Sequence, residues 1–168
     1  MPVIIDGNNL LHAVRAAADT GLFPGRSMLC GALGEWARRR REQVHVVFDG
    51  PAPGRDLAKQ IGDPDICVSY SGGVTADAEL IRMLAADSAA RRLLVVSSDR
   101  EIVRAARHYR ARTMRSDEFW ALVQLDLSRP LPKRTEPDEK KQGLRPEATE
   151  EWLREFGFDA KDPSRPDE

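Results

Sequence analysis

Cysteine is scarce in this 168-residue chain: Cys30 and Cys67 stand alone, without metal-type spacing. Their apolar surroundings predict buried free thiols. Histidine is scarce too. His12, His45 and His108 have no partners at ligand spacing, and His45 alternates with Val44 and Val46 in strand fashion, so all three read as structural. No apolar run approaches the roughly 20 residues that cross a bilayer. Charged residues make up 32% of the chain, too many for a membrane protein. The first apolar run meets a charge at Asp6, which leaves no room for a signal peptide and predicts a cytoplasmic location. No G-x-x-x-x-G-K-[ST] occurs, which argues against a P-loop nucleotide site. There is no internal repeat.

What is present is a core-forming composition, 41% hydrophobic, at a length that suits one domain with a short appendage. Four aspartates each follow a short aliphatic run. PVIID ends at Asp6 and VHVVFD at Asp49; ICVSYSGGVTAD reaches Asp77 and LLVVSSD reaches Asp99. Such runs read as buried parallel strands. Ligands of an open α/β sheet bind outside the carboxyl ends of its strands, so distant segments would deliver several carboxylates to one edge. Crowded carboxylates repel and raise one another's pKa. A divalent cation relieves that repulsion, and an all-oxygen donor set suits Mg²⁺ or Mn²⁺.

The spacing predicts strands over 2–6, 44–48, 66–70, 92–97 and 111–114. Helices are expected over 10–19 and 27–42, after Thr75, after Ser98 and after Ser116. Thr75 is an N-cap, Ser98 and Glu101 match a capping box, and Ser116 can cap the last helix. DGPAPGRD opens a polar loop. The GLFPGR stretch within 20–26 breaks the helical pattern and receives no role. Strand and helix alternate, so the fold class is α/β: a mostly parallel sheet with helices on both faces. Residues 1–127 form this domain. A charged, Pro-rich linker over 128–145 follows, then a helix over 146–158 with Ala148, Trp152 and Phe156 on one apolar face, then a tail over 159–168 that looks disordered. Trp152 and Phe156 would dock on the domain or on a protein partner.

Each acid has a plainer explanation. Asp6 with Gly7, Asn8 and Asn9 makes an ordinary turn, in which Gly7 lets the backbone bend tightly. Asp77 and Asp99 fall in first turns of helices, where the dipole favours acid by about 0.3–1 kcal/mol. Their agreement on one sheet edge favours a shared ion. Glu79, two residues beyond Asp77, points away from it on a helix. Asn9 can orient a carboxylate, a water or a phosphate oxygen. The net charge of −1 hides clusters of arginine at Arg38–Arg41 and from Arg104 to Arg115, suited to a polyanion.

At this point the chain resembles a known family. VIIDGNNLLHA, VHVVFDG, VTADAELIRML, VVSSDREI and SDEFWALV occur in the order found in the NYN branch of the PIN-like nucleases, most closely the bacterial YacP-like ribonucleases. EEWLREFGF in the tail is similar to the end of related bacterial proteins. The resemblance implies a three-layer α/β/α PIN-like domain and a divalent-metal-dependent endoribonuclease. Asp6, Asp77 and Asp99 would hold Mg²⁺ or Mn²⁺. Asn9 would support them and Asp49 would be an associated acid. Thr75, Ser98 and Arg100 would lie beside the substrate. Ala78 stands where some relatives carry a second acid, which leaves one or two ions open. The ion would polarise the phosphoryl oxygen and supply hydroxide for in-line attack. RNA is the expected partner, whether mRNA, tRNA or rRNA, with ribosome association an option. Two alternatives stand: a non-catalytic RNA- or ribosome-binding module, and a Mg²⁺-dependent phosphatase. The second needs an Asp two residues after its nucleophile, where this chain has Asn8.

Overall fold

A computed structural model describes residues 1–18 and 24–130. Five strands, β1 (Val3–Asp6), β2 (Val44–Phe48), β3 (Ile66–Tyr70), β4 (Leu94–Val96) and β5 (Arg112–Met114), form one sheet in the order β3-β2-β1-β4-β5. Every neighbouring pair is parallel. Six helices connect and cover it: α1 (Gly7–Ala17), α2 (Arg26–Arg40), α3 (Arg55–Ile61), α4 (Ala76–Ala86), α5 (Arg100–His108) and α6 (Ser116–Ser128).

Alternation along the strands divides the core in two. Val3, Ile5, Val44, Val46, Phe48, Leu94 and Val96 pack with α1, α2 and α6. Ile4, Val47 and Val95 point the other way, against α4 and α5. The result is the expected three-layer α/β/α PIN-like arrangement. The chain moves from β1 outward to β3 on one face, then crosses to the other face as it returns to β4 and β5. One uniform crossover hand requires that change of face where the strand order reverses. The reversal falls between β1 and β4, and beyond the carboxyl ends at such a reversal is where open α/β sheets form their ligand crevice.

Long-range contacts lock α6 onto α2. Trp36 Nε1 donates to Asp126 Oδ2 at 3.0 Å, and Arg39 Nη1 donates to the carbonyls of Asp126, Leu127 and Arg129 at 3.3, 3.1 and 3.1 Å. Those carbonyls belong to the end of α6, where no further turn can pair them.

Several elements differ from expectation, each for a local reason. α1 begins at Gly7 because Asp6 caps it directly from the strand end. Gly7 is therefore helical and makes no tight bend; positive φ falls at Gly50 and Gly72 instead. Gly7 is small because a Cβ there would sit 2.6 Å from the Phe48 ring and 2.9 Å from Val46. The loop after β2 contains α3, held by the single buried side chain of Ile61. Asp99, not Ser98, caps α5, through Oδ1 and the Glu101 amide at 2.6 Å. α6 starts without a side-chain cap, and Ser116 points elsewhere. Cys30 is buried but Cys67 is exposed, because β3 is an edge strand. The 131–145 part of the linker, the helix over 146–158, the tail over 159–168 and residues 20–23 lie outside the described residues. No helix among the described residues is long and apolar enough to cross a membrane.

Candidate metal and nucleic-acid site

Asp6 ends β1 and is only 6% exposed. Its two oxygens serve different neighbours. Oδ1 accepts from the Asn9 amide at 3.0 Å, and Oδ2 accepts from Ser97 Oγ at 3.2 Å. Ser97, at the end of β4, also accepts from the Asp99 amide at 3.0 Å. One buried hydroxyl thus ties the acid of β1 to the acid that follows β4.

Asn9 is the second tie. Its Oδ1 accepts from the Ser98 amide at 3.1 Å and from Ser116 Oγ at 2.7 Å. Ser98 Oγ in turn accepts from the Ser116 amide at 3.2 Å. Asn9, Ser98 and Ser116 therefore pin together the starts of α1, α5 and α6. This explains why neither serine caps its own helix.

Asp49 plays a similar part on the other flank. Its Oδ1 accepts from Ser71 Oγ and from the Ala76 amide, both at 3.1 Å. It anchors the loop that delivers α4, whose N-cap is Thr75, with Oγ1 accepting from the Ala78 amide at 3.2 Å. α4 then presents Asp77 in its first turn. Glu79 is turned to Arg82, which it binds at 2.8 and 2.6 Å, and that pairing holds its carboxyl below the usual range.

The electrostatics show which acids share a space. Burial raises the Asp77 carboxyl above its ordinary value, and the charges of Asp6, Asp99, Glu101 and Asp49 raise it further. Burial also raises Asp6; hydrogen bonds from Asn9, Ser97 and Asn8 oppose this, and the charge of Asp99 adds to it. The charges of four other carboxylates thus reach Asp77, and that of Asp99 reaches Asp6. Among the described residues none of the five has a basic partner within 4.0 Å.

The donor set is all oxygen, which fits a hard cation. Yet no three His, Cys, Asp or Glu side chains among the described residues are arranged to ligate one ion directly. The two observations measure different ranges. Mg²⁺ needs oxygens at about 2.0–2.1 Å, whereas charge repulsion acts over longer distances. A cation that keeps most of its waters and touches one or two carboxylates satisfies both.

Sequence reasoning passed over several residues here. Ser97 and Ser71 are hydroxyls buried behind the acids. Glu101, read only as a capping partner, adds a fifth charge. Arg26, the first residue of α2 and the last of the GLFPGR stretch, lies over the Phe48 ring at 4.7 Å and reaches Asn8 Oδ1 at 3.4 Å. Ser97 directly follows β4, a strand buried on both faces, and nothing in SSD marks which of the two serines is buried. Arg100 is exposed and lines a cavity of about 470 Å³ with Ser97, Ser98, Arg104, Arg107 and Arg115. A larger cavity, about 570 Å³, lies at the starts of the strands, beside Val3, Val44, Ile66 and Leu93. It is at the opposite end of the strands from all five acids, so its size says nothing about this chemistry.

A parallel sheet between two helical layers, in the order β3-β2-β1-β4-β5, is the PIN-like fold. Residues 3–156 match the YacP-like NYN domain, and the chain belongs to that family. Two solved structures share the fold. Rae1 (YacP) from Bacillus subtilis is 22% identical, with a TM-score of 0.60, covering 94% of this chain and 92% of that one. A tryptophan-to-leucine mutant of the same Bacillus subtilis protein is 21% identical, with a TM-score of 0.57, covering 95% of this chain and 99% of that one. No curated protein matches the chain.

Proposed function

We infer that this protein is a divalent-metal-dependent endoribonuclease. The observation that carries the reading is the group Asp6, Asp49, Asp77, Asp99 and Glu101: the charges of the other four add to burial in raising the Asp77 carboxyl, and none of the five has a basic partner within 4.0 Å among the described residues. Unbalanced carboxylates at a ligand crevice are costly unless a cation is their partner. The family match over most of the chain supports nuclease chemistry in general.

In this reading Asp6, Asp77 and Asp99 hold Mg²⁺ or Mn²⁺, partly through water. When bound, the ion supplies Lewis acidity toward the phosphoryl oxygens and lowers the pKa of water. The protein's own residues do the positioning. Ser97 fixes the rotamer of Asp6 and the backbone of Asp99. Asn9 locks the loop ends together and leaves its Nδ2 as a donor for a phosphate oxygen. Asp49 holds α4 so that Asp77 faces the crevice. Thr75 and Ser98 fix helix starts at the substrate's edge, and Arg100 offers a guanidinium to the RNA backbone. The RNA could be messenger, transfer or ribosomal, free or on a ribosome. Cytoplasmic location belongs to the same proposal.

The test is cleavage of single-stranded RNA with Mn²⁺, with EDTA, and by Asp77→Asn. Cleavage that needs the metal and falls at least about a hundredfold in the variant is expected, since positioned electrostatic groups contribute on that scale. Undiminished cleavage in EDTA or by the variant overturns the reading. A binding module is favoured by one observation: among the described residues no three acids are poised to clamp an ion. Calorimetry with Mn²⁺ separates the two, because a pure binder takes up no ion.

A further inference from the structure

We propose that the cavity beside α5 is a phosphate pocket that grips the RNA strand next to the acidic crevice. The proposal rests on RNA being the ligand. Arg100, Arg104 and Arg107 recur on one face of α5, opposite the buried Ile102 and Ala106. All three line the cavity, and Arg115 closes it from the start of α6. Three arginines thus line one cavity of about 470 Å³, and none of them has an acidic partner within 4.0 Å among the described residues. The fourth, Arg115, is held by Asp117 at 3.0 and 3.4 Å, an exposed pair that anchors it without neutralising the pocket.

Like charges gathered in a concave site repel one another, as the acids do, and the natural relief is an anion. Arginine forks match phosphate oxygens two at a time. The pocket and the crevice share a wall. Ser97, whose hydroxyl binds Asp6 and the Asp99 amide, also lines the cavity, and so does Ser98. A strand with one phosphate in the crevice therefore meets the arginines at a neighbouring phosphate. The acids alone would repel RNA; the adjoining basic pocket supplies attraction that does not depend on a metal. The phosphate can be an internal diester or a 5′-terminal monoester, which present the same oxygens.

Fluorescence anisotropy with single-stranded RNA in EDTA tests this, because no cleavage is required and failure of the nuclease reading would leave the readout intact. The variant is Arg104→Ala/Arg107→Ala, at two exposed positions. The control is Arg91→Ala/Arg92→Ala, equally exposed and equal in charge, in the 3₁₀ turn that precedes β4 at the far end of the strands. The pocket variant should bind about tenfold more weakly at 0.1 M salt, with a salt slope shallower by about 0.7, the value for one phosphate released from a single strand. The control should bind as the unaltered protein does. Equal weakening for 5′-hydroxyl and 5′-phosphate RNA identifies an internal phosphate; weakening confined to 5′-phosphate RNA identifies the terminal one. Either supports the pocket. Unchanged affinity, equal weakening by the control, or a slope change near 1.4, which means two separate phosphates, overturns it.

Discussion

Replacing Asn9 by alanine should destabilise the domain by about 2–3 kcal/mol, although the side chain is small and polar. Its Oδ1 accepts two hydrogen bonds that alanine cannot make: from Ser116 Oγ at 2.7 Å and from the Ser98 amide at 3.1 Å. Ser116 is fully buried, so its stranded hydroxyl bears most of an unsatisfied-donor cost of about 1–3 kcal/mol. Ser98 is only half-buried and water can reach it, so its share is smaller. At roughly 3–4 °C per kcal/mol for a domain of this size, the melting temperature should fall by about 6–12 °C. Asn9→Asp keeps both acceptor bonds and separates the loss of the tie from the loss of the side chain's bulk. It adds a charge beside Asp6, so its deficit should shrink on adding Mn²⁺. Thermal unfolding followed by circular dichroism, in EDTA and again with Mn²⁺ in place of EDTA, reads all three proteins. An Asn9→Ala protein melting within about 2 °C of the original would refute the idea that this residue ties three helix starts together.

Asp77→Asn should raise the melting temperature in EDTA at pH 7. Its carboxyl is raised in the folded state, so the folded protein binds that proton more tightly, and stability is lost as pH rises from about 3.8 through the folded value; removing the charge removes that loss. A lower melting temperature for the variant would contradict it. Gly7→Ala should cost about 1–3 kcal/mol through collision with the Phe48 ring, and Phe48→Leu in the same chain should recover part of it; urea unfolding measures both. The Cys30 thiol, pushed by burial up to about 11, should resist iodoacetamide at pH 8.5 while exposed Cys67 is alkylated. Mass spectrometry of the folded protein finding Cys30 modified first would overturn that assignment.

The sheet was legible because parallel strands buried on both faces leave unbroken aliphatic runs, and VIID, VHVVF and LVV stand out from their charged surroundings. Asp6, Asp49 and Asp99 were legible for the same reason, since each follows one of these runs; Asp77 stands further off, in the first turn of α4, and Glu101 looked only like a capping partner. α3 was hidden because seven residues with one buried side chain, Ile61, carry too little periodicity to rise above the turn residues before them. The site's supporting bonds were hidden more deeply. A serine at a helix start looks like a cap, and local sequence holds nothing to say that the Ser116 hydroxyl and the Ser98 backbone amide both donate to Asn9, 107 and 89 positions away respectively, while the Ser98 hydroxyl accepts from the Ser116 amide. Gly7 looked like a hinge, because a close approach from Phe48 can only be seen once β2 lies beside β1. Cys67 looked buried because a strand's own sequence does not reveal that it will be the edge.

The most direct measurement is an anomalous-scattering map from a crystal soaked in Mn²⁺. One peak in the crevice, with Asp6, Asp77 and Asp99 around it directly or through water, is the predicted result. No peak there, or a peak bound elsewhere while the crevice stays empty, would contradict the account.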